Sequence, residues 1–252
     1  MATSQAIGVI GAGTMGNGIA QVCVLAGLSV VMLDVDDKRV AKGRDAIAGG
    51  LERLVKKGKL SAGDRDGALG RLRGATDYRA LADCDFLVEA ATEDEGLKLK
   101  ILRQADGLAK DGAIIATNTS SISITKLGAS MKRPARFVGL HFFNPVPVMA
   151  LVEVVRGRQT DDATVEAAAA LAKRLGKTPV VVKDSPGFVV NRLLCPMLNE
   201  AVLVYGESVA SAPTCAIPEP MVPAPMTPMV CGEFMRTRYR LRRAKSSANG
   251  RH

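Results

Sequence analysis

The sequence contains two histidines, and one of them, His252, is its last residue. The interior one, His141, stands in Gly139-Leu140-His141-Phe142-Phe143-Asn144-Pro145, at the end of an apolar run that reads as a strand. Histidine titrates near neutrality, so a positioned imidazole suits the movement of an alcohol proton while a hydride moves the other way. A lone histidine is also a common structural residue, and context has to decide. Glu153 supplies context: it lies among four aliphatic residues in Leu151-Val152-Glu153-Val154-Val155. A carboxylate in such a strand is costly to bury unless it is paired. A turn through Pro145 and Pro147 would bring it to His141, where it would orient the ring and favour its protonated form. The alternative is a surface carboxylate on an edge strand.

A second constellation concerns phosphate. Gly11-Ala12-Gly13-Thr14-Met15-Gly16 matches G-x-G-x-x-G, follows a strand and opens a helix, and Asp34 ends the next strand 18 residues after Gly16. That context makes the motif a dinucleotide fingerprint. Gly11 would allow the tight turn, Gly13 the approach of a pyrophosphate to the backbone, and Gly16 close packing of helix on strand. The helix N-terminus would offer its free N–H groups to the phosphates. Asp34 would accept from a ribose 2′-hydroxyl and repel a 2′-phosphate, which favours NAD over NADP. Lys38 and Arg39, just beyond it, could reach a 2′-phosphate or form a solvated helix face.

Positioning these groups requires a regular frame, and the sequence supplies one. Strand-like runs at Ile7–Ile10, Val30–Leu33, Phe86–Ala90, Ala113–Thr117, Phe137–Leu140, Leu151–Val155 and Pro179–Val182 alternate with helical patterns over 15–26, 38–57, 95–109, 121–129 and 163–175. Strands alternating with helices mean βαβ units, hence an α/β fold with a mostly parallel, Rossmann-type sheet. His141 then follows a strand at the sheet edge where such folds bind ligands. Ser185 as N-cap with Pro186 at the first helical position predicts a further helix to about Tyr205. Its apolar positions recur nearly all round, so it is expected to be buried on several sides. It opens a smaller, all-helical domain. The expected organisation is a nucleotide-binding domain over 1–184, the start of the helical domain over 185–212, and a tail over 213–252.

The tail is a different composition regime. The chain's 252 residues carry a net charge of +9, of which residues 213–252 contribute +5 from seven Lys/Arg against two Asp/Glu. The same stretch holds six of the 12 Pro, which permit neither helix nor central strand. It is expected to be disordered. The whole chain, at 47% hydrophobic and 23% charged residues, is otherwise an ordinary globular composition. No apolar run reaches the roughly 18 residues of a membrane span. Met1–Gln5 lead straight into a strand, so no signal peptide is expected. The five cysteines are scattered without a C-x-x-C pair. They read as reduced thiols of a cytoplasmic protein with no metal site. Nucleic-acid binding by Arg236–Lys245 lacks a recognisable motif.

Several stretches together carry a resemblance: IGVIGAGTMGNGIA (7–20), Asp34, EAATED (89–94), NTSSISIT (118–125), GLHFFNPVPVMALVEVV (139–155) and DSPGFVVNRLL (184–194). Residues 6 to about 211 resemble the 3-hydroxyacyl-CoA dehydrogenases, most closely the bacterial 3-hydroxybutyryl-CoA dehydrogenases. The resemblance implies NAD as cofactor and an acyl-CoA substrate. It makes His141 the general acid/base and Glu153 its partner. Ser120 and Asn191 would hydrogen-bond the substrate's C3 oxygen, and Asn144 would hold its thioester part. Glu93 and Lys98 would lie near the ribose and nicotinamide, and Asn118 would add to a cofactor site formed by Gly11, Gly13, Thr14, Met15, Gly16 and Asp34. Lys57, in Lys56-Lys57-Gly58-Lys59, would contact the CoA phosphates. Taken singly, Ser120 could instead be a helix N-cap, Asn191 a helix-surface amide and Lys57 a solvated charge.

Family members are homodimers and continue past the position of Ser211 with further helices. Those are not recognisable here, so the dimer domain is expected to be incomplete, through a reading-frame change or a deletion. A same-fold NAD- or CoA-binding protein with little turnover is therefore the competing reading. A dehydrogenase of the 6-phosphogluconate type shares the glycine-rich opening but relies on a lysine early in its second domain, where this sequence reads PGFVVNRL.

Overall fold

A computed structural model describes residues 6–206; the expectations for the first five residues and for the Pro-rich basic tail lie outside the described residues. In chain order the elements are β1 (Ala6–Ile10), α1 (Thr14–Leu25), β2 (Ser29–Leu33), α2 (Asp37–Lys56), α3 (Ala62–Gly70), β3 (Leu72–Ala75), β4 (Phe86–Glu89), α4 (Glu95–Leu108), β5 (Ile114–Thr117), α5 (Ile124–Gly128), β6 (Phe137–Phe142), β7 (Leu151–Arg156), α6 (Asp162–Arg174), β8 (Thr178–Lys183) and α7 (Val190–Gly206). Short 3-10 turns at Tyr78–Leu81 and Pro134–Arg136 lead into β4 and β6. The eight strands form one sheet in the order β3-β2-β1-β4-β5-β6-β7-β8. Neighbours run parallel except β6 and β7, which are antiparallel. The α/β, Rossmann-type reading is thereby met.

The two faces of the sheet follow the two-residue period of a strand. Phe86, Val88, Ile114, Ala116, Val138, Leu140, Val152 and Val154 enter one core layer with Ile19 of α1, Ile47 of α2 and Ala168 of α6. Leu87, Ile115, Phe137 and Val155 enter the opposite layer with Leu102 of α4 and Ile124 of α5. Both faces are covered, which is why the central strands read as continuous apolar runs. The alternation also fixes where four polar residues point. Glu89, Thr117, His141 and Glu153 are in phase with the second layer, and all are buried.

Two elements escape the sequence reading. β3 has the sequence LRGA and α3 the sequence AGDRDGALG, neither with enough apolar positions to show a period. β3 exists because it is an edge strand held in register by β2, with Leu72 beside Val30. α3 is nucleated by Ser61, whose hydroxyl accepts from the Asp64 N–H at 3.0 Å.

One expected helix start is corrected. Ser185 does not cap a helix beginning at Pro186; the Phe188 N–H closes a turn onto the Ser185 carbonyl at 2.9 Å. Gly187 (φ 74°) and Phe188 (φ 49°) are left-handed, a conformation that cannot continue into a right-handed helix, so α7 starts at Val190. After Phe188 the chain passes from one compact unit into a second. Within α7, Leu193 and Val202 are exposed at 69% and 64%, against the expectation of burial on several sides. A helix apolar all round is covered only where every flank meets a partner. No helix of the described residues is long and apolar enough to cross a membrane. Cys23, Cys84 and Cys195 are buried free thiols, and burial pushes the Cys23 thiol up to about 12.

Candidate active site

β6 and β7 form an antiparallel pair whose register sets His141 opposite Glu153. Directly opposed side chains on one face are the closest neighbours a sheet offers. His141 Nδ1 and Glu153 Oε2 are 2.7 Å apart, and both residues are almost fully buried. The pairing expected from a turn at Pro145 and Pro147 is thus made by strand register, with the eight residues 143–150 as its connection. The Phe143 ring lies tilted 4.5 Å from the imidazole, and the Phe188 ring meets it edge-on at 5.6 Å. With Nδ1 held by Glu153 and both flanks packed by aromatic rings, Nε2 is the nitrogen left to meet a reactant. Phe188 holds its left-handed backbone with its side chain 2% exposed, as expected of a strained residue whose surroundings over-determine it.

The glycine-rich loop joins β1 to α1 at the same carboxyl edge. Gly11 (φ 104°) makes the turn, with its N–H on the Leu33 carbonyl at 2.7 Å. A Cβ on Gly16 would lie 1.8 Å from the Gly11 carbonyl oxygen, whereas nothing lies within 4 Å of one on Gly13. Gly13 caps α1 without a side-chain acceptor, so the first N–H groups of the helix, those of Thr14 and Met15 among them, are directed at this open space. Asp34 accepts from the Ala12 N–H (2.8 Å) and from the Val35 N–H (2.7 Å). A carboxylate has about four acceptor positions, so it keeps capacity for a ribose diol while it braces the loop. The residues present fit a dinucleotide: an open cradle over Gly13, unused N–H groups, and an acid at the ribose end. Arg39 is exposed and sits between Asp34 (3.9 Å) and Asp36 (3.6 Å). Gly50 lets α2 lie against Gln21 of α1, whose Oε1 would meet a Cβ at 2.5 Å.

The loop after β5 lies between these two groups in the sheet. Asn118 donates its N–H to the Glu89 carbonyl and accepts from the Phe142 N–H at 2.8 Å, which ties the loop to both β4 and β6. Thr119 donates its hydroxyl to Glu93 at 2.7 Å. Ser120 is half-buried on this loop. It is not the N-cap of α5, because Ser123 takes that place and accepts from the Lys126 N–H. Asn144 is half-buried and precedes a cis peptide bond to Pro145. Lys98 is 1% exposed and ion-paired to Glu89 at 2.5 Å. Lys57 is exposed at the C-cap of α2, a 20-residue helix and so about 30 Å from its Asp36 cap. Asn191 belongs to α7 in the second unit.

Sequence reasoning missed Glu89, Thr119, Phe188 and Asp184. Glu89 carried the signal used for Glu153, a carboxylate in an apolar strand. Asp184 accepts from the Ser123 hydroxyl (2.7 Å) and the Thr125 N–H (2.8 Å), pinning the Ser185–Phe188 turn to the start of α5. Burial alone would raise its carboxyl, but these hydrogen bonds prevail and hold it below the ordinary carboxylate value. A carboxyl lowered on folding stabilises above its unfolded value of about 3.9 and loses that contribution as pH falls below it. Asp184→Asn is therefore expected to cost about 1–2 kcal/mol at pH 7. Thermal melts at pH 7 and pH 3 check this: the gap between variant and wild type should be smaller at pH 3 than at pH 7.

Comparisons with known proteins bear on the family and the fold. The family model described as 3-hydroxyacyl-CoA dehydrogenase, NAD binding domain, matches residues 6–185. A 3-hydroxybutyryl-CoA dehydrogenase of Bradyrhizobium diazoefficiens is 48% identical over 210 residues, 83% of this chain and 72% of that protein. The alpha subunit of the fatty acid oxidation complex of Acinetobacter baylyi is 43% identical over 188 residues, 75% of this chain and 26% of that protein. The crystal structure of (S)-3-hydroxybutyryl-CoA dehydrogenase from Ralstonia eutropha superposes with a TM-score of 0.82 at 57% identity, covering 84% of this chain and 75% of that one.

Proposed function

The chain belongs to the 3-hydroxyacyl-CoA dehydrogenase family, and we propose that it interconverts L-3-hydroxyacyl-CoA, 3-hydroxybutyryl-CoA above all, and the 3-ketoacyl-CoA through a His141–Glu153 acid/base pair. It is an NAD-dependent oxidoreductase; NAD, when bound, supplies the hydride acceptor. The observation that carries the finer reading is the buried 2.7 Å contact between His141 Nδ1 and Glu153 Oε2 at the carboxyl edge of the sheet. Glu153 holds the ring in one tautomer, and Nε2 takes the hydroxyl proton as the C3 hydrogen leaves with its electron pair. In reduction the imidazolium returns the proton to the ketone oxygen. Ser120 donates a hydrogen bond to the oxygen as negative charge develops there. Asn144 holds the thioester and Lys57 the CoA phosphates. Gly11, Gly13, Thr14, Met15, Gly16, Asp34, Glu93, Lys98 and Asn118 form the cofactor's site. We assign the residues up to Phe188 to the cofactor domain and Val190–Gly206 to the start of the helical, dimer-forming domain.

Absorbance at 340 nm tests the reading directly. NADH oxidation is expected with acetoacetyl-CoA and not with free acetoacetate, and NAD reduction with (S)- but not (R)-3-hydroxybutyryl-CoA. Equal rates with the two enantiomers would overturn the assignment. A second reading is cofactor binding with little turnover. NADH bound without turnover selects it.

A further inference from the structure

Glu89 and Lys98 are the most deeply buried ion pair among the described residues, exposed at 0% and 1%. Such a pair is weak support for stability, since apolar side chains of equal volume often serve as well. Its location suggests another use. Glu89 is the last residue of β4, in register with Ile10, the last of β1, and with Thr117, the last of β5. The strand order turns back between β1 and β4, and in open α/β sheets the ligand crevice lies outside the carboxyl ends of the strands at this switch point. Glu89 therefore lies under the crevice that the glycine-rich loop borders.

Both carboxylate oxygens are occupied. Oε1 accepts from the Ala91 N–H at 2.9 Å, holding the segment that leaves β4 and leads to Glu93. Oε2 accepts from the Thr117 hydroxyl at 2.7 Å and from the Lys98 ammonium at 2.5 Å. We propose that Glu89 is a positioning residue for the nicotinamide cofactor, fixing the Lys98 ammonium and the segment after β4 at the β1/β4 switch point. Without its counter-charge the Lys98 side chain has no fixed place under the crevice, and the cofactor meets a site that must first be ordered. The inference rests on the cofactor of the reading above and not on its acyl substrate.

The test is the NADH dissociation constant by fluorescence titration, with thermal melts of the same samples. Glu89→Gln keeps the shape and removes the charge; it is expected to weaken NADH about tenfold in the otherwise native chain. In a Lys98→Met background it should change affinity less than about threefold, because a residue that acts through another loses its effect when that other is gone. Equal losses in both backgrounds, or a lower melting temperature with unchanged NADH affinity, would mean a purely structural pair and overturn the proposal. Should Glu89→Gln not fold, Thr117→Val leaves the charges paired and is expected to weaken NADH about threefold; native affinity there overturns the proposal equally. Glu89→Asp, which retains the charge, should recover part of the loss. Loss of acetoacetyl-CoA turnover with NADH still bound by the wild type would sink the substrate reading and leave this one standing.

Discussion

His141→Ala is expected to lower kcat for NADH-dependent reduction of acetoacetyl-CoA by about 10²–10⁴, the range of a lost general acid/base. NADH affinity should change by less than about threefold. The separation follows from the sheet. His141 lies one residue before the end of β6, three strands from β1 and its glycine-rich loop, or about 14 Å at the spacing of strands. The imidazole is also held by partners that do no chemistry, the rings of Phe143 and Phe188, so its removal leaves the cofactor's loop untouched. Glu153→Gln should fall in the same direction by less, because the amide still reaches Nδ1 but no longer balances a charged ring. Steady-state kinetics with a parallel NADH titration separate these outcomes. A His141→Ala protein with near-native kcat would remove the acid/base assignment altogether.

The second large effect is a contrast between Gly13 and Gly16, neighbours in the same glycine-rich motif but opposite in packing. Gly13→Ala should keep the fold, because a Cβ there meets nothing within 4 Å and its φ of −67° suits any residue. The space it fills is the one over the α1 N-terminus, so NADH affinity should drop at least about tenfold as the pyrophosphate is kept from the N–H groups. Gly16→Ala should lose both fold and binding, since its Cβ would fall 1.8 Å from the Gly11 carbonyl and only a backbone shift could relieve it. Circular-dichroism melts beside NADH titrations check both. Native NADH affinity in Gly13→Ala would show that the cradle is not where the phosphates lie.

Much of the frame was legible because its causes are short-range. The central strands β1, β4, β5, β6 and β7 are largely apolar on both faces, and a run of that kind reads the same in isolation as in the sheet. The G-x-G-x-x-G loop was legible for a similar reason: Gly11 and Gly16 answer to sterics within a few residues. What failed was held by distant partners. LRGA is a strand only because β2 lies beside it. Pro186 looked like a helix start until Gly187 and Phe188 proved left-handed, a conformation secured by burial of the Phe188 ring.

Residue types along the chain mark one interior imidazole, a carboxylate in an apolar strand, and a glycine-rich loop with Asp34 at the end of the next strand. Residue type and local period suffice for that. Only the tertiary structure decided that Glu153 stands opposite His141, that Asp34 braces the loop through Ala12, and that Glu89 takes Lys98 as its counter-ion. These are questions of strand register and of the fixed phase of side chains across the sheet. A slip of one residue would send each of these groups to the other face, and no local pattern in the chain records it.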